Sequence, residues 1–100
     1  MPHRTAYIYY EHNQFDKANP LFRDVIHLAP LSEVAVDACD LILESYLLRK
    51  QYKEMLDYIL EIKNNQEFMS NQTQHFPELK DLIHEYEAAL NEKLETEGKL

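Results

Sequence analysis

Apolar residues recur at intervals of three and four along almost the whole chain, and no stretch alternates apolar with polar positions. That spacing predicts helix nearly throughout. The interruptions are few. Asn13-Gln14 separates a first helix from a second. Ala29-Pro30-Leu31-Ser32 is the clearest stop and start, because Pro30 cannot continue a helix and Ser32 can cap the next. Arg49-Lys50-Gln51 closes the third helix with basic residues that offset its dipole. Lys63 to Gln74 is polar, with Phe68 and Met69 as an apolar island, and Pro77 suits the first turn of a last helix. The pattern therefore predicts helices near 2–12, 15–29, 32–49, 51–64 and 76–95. Pro20 falls inside the second. Its missing N–H leaves a carbonyl near Asp16 without an intrahelical partner, so the helix starts later or bends; a mild bend is expected, because the apolar spacing continues unbroken through it. The last helix carries a narrow apolar stripe (Phe76, Leu79, Leu82, Ile83, Tyr86, Leu90, Leu94) and should fray from Glu95.

Composition narrows the possible chemistry. The one glycine, Gly98, cannot supply a phosphate-cradling loop, which removes P-loop and dinucleotide sites. A formal charge of −8 argues against nucleic acid as main partner. No apolar run is long enough to span a membrane, and the first residues do not read as a signal peptide. Localisation stays open, cytoplasmic or periplasmic. Cys39 is alone, so it forms no intrachain disulfide and is expected to pack as a small apolar residue. The acidic excess is concentrated late, −2 over residues 1–50 and −6 over 51–100. That reads as a solvated cap face, with steering of a basic partner as the functional alternative.

The pattern returns after a shift of 37 residues. Tyr9 falls on Tyr46, Phe15 on Tyr52, Ala18 on Met55, Leu21 on Tyr58, Phe22 on Ile59 and Val25 on Ile62, each pair apolar or aromatic. These are positions that let two antiparallel helices pack. The stretch from Tyr9 to Pro30 resembles the tetratricopeptide repeat family. Ala18 and Phe22 match its A-x₃-F, with Tyr9 before and Pro30 after at the family's spacing. Departures are clear. The family's opening tryptophan and leucine fall on Pro2 and Thr5, and its small residue falls on Ala6. In the second unit Leu43 replaces the small residue, Met55 replaces the packing alanine, and the closing proline is absent.

The resemblance implies an all-α fold: an antiparallel helix-hairpin, right-handed superhelical stack of about five helices. Unit 1 spans about 2–31, a degenerate unit 2 about 32–65, then a polar loop 66–74 and a C-terminal capping helix 76–95. The long third helix, polar loop and cap are also similar to repeat modules of bacterial envelope proteins. Two units are few for an independent stack, so the cap supplies the missing partner or the chain is a piece of a longer repeat protein. The starting point inside the signature fits the second option.

In the resemblance the first helix of each pair lines a concave groove for a partner segment. Carried over by position, the groove holds His3, Tyr7, Tyr10 and Glu11 from unit 1, and Asp40, Glu44, Leu47 and Leu48 from unit 2. Tyr7 and Tyr10 should face outward because Tyr9 takes the core position, while Tyr46, Tyr52 and Tyr58 should be core with hydroxyls at the rim. The equal alternative is a groove filled by the chain's own next helix. A family subtype that clamps a terminal carboxylate with Lys, Arg and Asn does not fit, since Tyr7, Asp40 and Glu44 stand there. A basic or apolar segment is the expected ligand. The five histidines show no metal-ligand spacing, and no carboxylate pair or Ser/His/Asp motif seats a nucleophile. The expectation is a non-catalytic protein–protein interaction scaffold without cofactor or metal. The alternative is a structural segment of a helical array, or a self-association module forming homo-oligomers.

Overall fold

The computed structural model describes residues 2–71 and 79–96, with side chains from Arg4 onward. It contains α1 (Pro2–Glu11), α2 (Phe15–Leu28), α3 (Glu33–Leu48), α4 (Tyr52–Asn64), a single turn α5 (Gln66–Met69) and α6 (Leu79–Thr96). Among the described residues there is no strand, so the chain is all-α. None of their helices is long and apolar enough to cross a membrane. The first four expected helices stand within a residue or two. The expected start of the last at 76, with Phe76 and Pro77, lies outside the described residues, as does the end of the chain beyond Thr96. Glu95 and Thr96 remain helical.

The 37-residue period is written into the backbone. After α1, Asn13 takes a left-handed conformation (φ 60°), Asn13 N–H bonds the Tyr10 carbonyl and Gln14 N–H bonds that of Tyr9. After α3, Lys50 does the same (φ 58°), bonding Leu47, while Gln51 N–H bonds Tyr46. Both turns are Schellman motifs, which satisfy carbonyls that a helix end leaves orphaned. The following helices then begin alike, with Gln14 at φ −95°, ψ 66° and Gln51 at φ −92°, ψ 69°.

Between the pairs the chain turns at Pro30. Ser32 caps α3 as expected, its Oγ accepting from the Ala35 N–H at 3.1 Å while its hydroxyl donates to the Ala29 carbonyl at 2.7 Å. Pro20 does not delay α2, which runs from Phe15 without a break. Pro20 and Asp16 are exposed, so water can serve the carbonyl that Pro20 cannot.

One core joins the helices. Phe22 is fully buried, with Tyr7 edge-on at 5.5 Å and Tyr10 at 6.2 Å. Ala6 and Ala18, both fully buried, let α1 and α2 approach closely. Leu43 and Met55, also fully buried, hold α3 and α4 further apart. Tyr52 and Tyr58 are core, as expected. A polar link crosses the seam between the pairs: Asn19 Nδ2 donates to Ser45 Oγ at 3.0 Å, and Ser45 donates to the Ile42 carbonyl at 2.7 Å.

The stretch expected to be a polar loop is partly structured. Asn65 caps α5 by accepting from the Phe68 N–H at 3.0 Å, and Phe68 is fully buried. Asn71, itself buried, donates to the carbonyls of Pro30 and Ser32, each at 3.0 Å. The apolar island is therefore an anchor, and the polar residues around it serve the backbone. The last helix, α6, lies on α3 and α4, burying Leu79, Ile83 and Leu90. Lys63 on α4 pairs with Glu87 at 2.6 Å.

A left-handed lysine is unfavourable, because its Cβ crowds the backbone by roughly 1–2 kcal/mol where glycine has none. Lys50→Gly is expected to stabilise the fold by about 1 kcal/mol, a rise of roughly 4–8 °C in thermal midpoint for a domain of this size. Asn13→Gly should change it less, since asparagine tolerates this conformation. Melts followed by circular dichroism check both.

Candidate functional site

Asp37, Asp40 and Glu44 stand three and four residues apart on α3, so they share one helix face. Across from them α1 presents Tyr7 and Tyr10, also three apart. The charges of these carboxylates bear on both tyrosine hydroxyls. The Tyr7 hydroxyl is held above its ordinary pKa by burial, then by Asp37 and Asp40. Tyr10 is pushed up to about 12 by burial, then by Glu44, then by Asp40. The rings have firm backing, since Tyr10 meets Phe15 edge-on at 5.1 Å as well as Phe22.

A third tyrosine completes the cluster from α6. The Tyr86 hydroxyl donates to the Asp40 carboxylate and lies 3.2 Å from the Asp40 carbonyl. Its pKa is raised by burial first and then by Asp40. Three tyrosines from two helices, α1 and α6, thus stand around the carboxylates of α3. Asp37 also titrates above the usual carboxylate range, from partial burial first, then repulsion by Asp40 and Glu33.

The structure brings some of the expected groove residues together and leaves others apart. Tyr7, Tyr10, Asp40 and Glu44 form the cluster. Leu47 lines a small cleft of about 190 Å³ with Asp40, Leu82, Glu85, Tyr86 and Ala89. On that side α6 covers the α3 face. Glu11 and Leu48 are exposed at the ends of their helices. The His3 side chain lies outside the described residues. Tyr9 does not displace its neighbours as expected. All three tyrosines of α1 are partly buried, and the Lys17 ammonium sits 5.6 Å from the Tyr9 ring centroid. All three meet residues of α2: Tyr7 meets Phe22, Tyr10 meets Phe15 and Phe22, and Tyr9 meets Lys17.

Tyr86 and Asp37 were not among the expected site residues. Tyr86 left one signal, a hydroxyl within an otherwise apolar stripe, which asks for a partner. The residue that answers it is 46 positions away. Of the remaining candidates, Cys39 is fully buried and its thiol pKa is pushed well up by that burial, then by Asp40. The His12 ring nitrogen Nδ1 lies 2.9 Å from the Ile8 carbonyl at the end of α1, and His27 and His84 are exposed. Among the described residues no three His, Cys, Asp or Glu side chains converge to hold a metal ion.

Comparison with family models, curated proteins and solved structures returns no match to this chain.

A carboxyl whose pKa is raised by folding opposes the fold when ionised, and the opposition disappears as pH falls through that raised pKa. Asp37→Asn is therefore expected to raise the thermal midpoint at about pH 7 and to leave it nearly unchanged at about pH 3, where both side chains are neutral. Melts of both proteins across that range check the sign.

Proposed function

We propose that this chain is a non-catalytic protein-interaction module of tetratricopeptide-like architecture. Its first helices, α1 and α3, present an acidic, tyrosine-lined face to a basic segment of a partner protein. The observation that carries this reading is the cluster of Tyr7, Tyr10, Asp37, Asp40, Glu44 and Tyr86. Carboxylates on one helix face, set among half-buried rings, offer both ends of what a lysine or arginine side chain needs. The rings take the alkyl stem or the cation face, and the carboxylates take the charge. The rings are already packed on Phe15 and Phe22, so little ordering remains to be done on binding. The net charge of −8 steers a basic partner toward the molecule.

The repeat architecture is supported by the two matching turns, 37 residues apart, and by the succession of contacts from α1 through α4 to α6. In this reading the helix pairs stack as a right-handed array, and α6 stands where the first helix of a third unit would. The second reading, a structural segment of a longer array, is favoured by one observation. Ile8 is 54% exposed, whereas Ser45, its equivalent after the 37-residue shift, is fully buried against α2. A preceding unit would cover Ile8.

The test is binding of fluorescein-labelled peptides, one rich in Lys and Leu, and its counterpart with every Lys replaced by Glu. The basic peptide should bind more tightly, by about ten-fold or more, and lose affinity as salt rises. Asp40→Asn/Glu44→Gln, shown by circular dichroism to be folded, should remove most of the difference. Equal binding of the two peptides, or a preference that survives the double substitution, would falsify the assignment of this face.

A further inference from the structure

We infer that a second site, in the cleft between α2 and the α3–α4 turn, binds a carboxylate carried by an acidic residue of a peptide. The cleft has a volume of about 460 Å³, and Asp16, Asn19, Arg23, Tyr46, Arg49 and Gln51 are among its lining residues. It is separate from the tyrosine–carboxylate face and does not rest on the reading of that face.

The charge is the first observation. Residues 1–50 hold five Lys and Arg side chains in a chain of net charge −8, and two of the five converge here. Both guanidinium groups are held in place. Arg49 lies 5.1 Å from the Phe15 ring centroid and 5.6 Å from that of Tyr46, and its Nε donates to the Ser45 carbonyl at 3.2 Å. Arg23 lies 4.6 Å from the Tyr58 ring centroid, and its Nη2 donates to the Tyr46 hydroxyl at 3.2 Å. Tyr46 therefore joins the two cations. Arg23 Nη1 reaches only a loose ion pair with Glu61 at 3.6 Å. The terminal nitrogens of Arg49 have no partner among the described residues. Guanidinium groups fixed by rings and still able to donate are prearranged for an oxyanion.

The kind of anion follows from the rest of the lining. Asp16 also borders the cleft, so its lining residues sum to a single positive charge, with Glu61 outside the lining as a loose partner of Arg23. That matches a carboxylate better than a phosphate dianion. Asn19 supplies the other half of the recognition. It is only 6% exposed, its amide nitrogen is committed to Ser45, and its Oδ1 is buried without a partner. An unmet acceptor on a residue that lines the same cleft as two cations calls for a ligand that brings an N–H beside its negative charge. An acidic residue within a peptide chain carries both.

The probe is N-acetylglutamate methylamide, titrated into the ¹⁵N-labelled full chain at constant ionic strength. The Arg side-chain Nε–H signals and the Gln51 amide report. Saturable shifts are expected with a Kd on the order of millimolar, as suits one charged contact and one hydrogen bond. N-acetylglutamine methylamide, its neutral counterpart, should give no saturable shift. Asp16→Asn removes the competing charge at an exposed position and should tighten binding about three-fold. Arg49→Gln should weaken it at least about ten-fold. If Arg49→Gln fails to fold, Asp16→Asn carries the test alone. Equal response to the neutral probe, tighter binding of inorganic phosphate, or an unchanged Kd in Asp16→Asn would each overturn the assignment.

Discussion

No described helix of this chain is long enough to be stable alone, and each must cover its apolar residues against a neighbour. Helices of 10 to 18 residues are marginal in water unless an amphipathic face is covered. Stacking is therefore the constraint on which everything else depends. α2 packs on both α1 and α3. Phe22 sits at its centre, and the rings of Tyr7 and Tyr10 are set against it. The same packing that stabilises the first pair fixes the side chains of the tyrosine–carboxylate face. Stability and the placement of these rings are thus two consequences of one contact.

The seam between the pairs is of a different character. Where a repeat protein could place apolar groups, Asn19 meets Ser45 and Arg23 meets Tyr46. Such polar contacts stabilise little by themselves, because each exchanges water for protein. They do constrain register, since a shift along the seam would leave buried donors and acceptors unpaired. The equivalents of Asn19 and Arg23 in the second unit are Leu56 and Leu60, which are 44% and 52% exposed. The two units share a backbone plan and differ in what they show to their neighbours. Charge follows the same division, with Asp37, Asp40 and Glu44 on one face of α3 and Arg23 and Arg49 at the seam.

Much of the fold could be read from residue order. Local rules suffice for the break at Pro30, the cap at Ser32 and the spacing of apolar residues, because these depend on neighbours within one turn of helix. The repeat was legible for the same reason. Ala18, Phe22, Val25 and their counterparts recur on one stripe, and a stripe is a local pattern. Even the turns left a trace in Asn13-Gln14 and Lys50-Gln51, though a left-handed lysine has no propensity that would announce it.

Contacts between residues far apart in the chain were decided only when the helices packed. Phe68 and Asn71 lie in a polar stretch without periodicity, and their burial follows from the shape of the space beside α4 and the Pro30 turn. Tyr86 became part of the tyrosine–carboxylate face because α6 settles on α3 at a particular height, which no spacing within either helix encodes. Arg23 and Arg49, 26 residues apart, share a cleft for the same reason. Helical periodicity specifies which side of each helix is covered. The neighbour that covers it, and the polar groups carried along, depend on how side chains of unequal volume fit together in three dimensions.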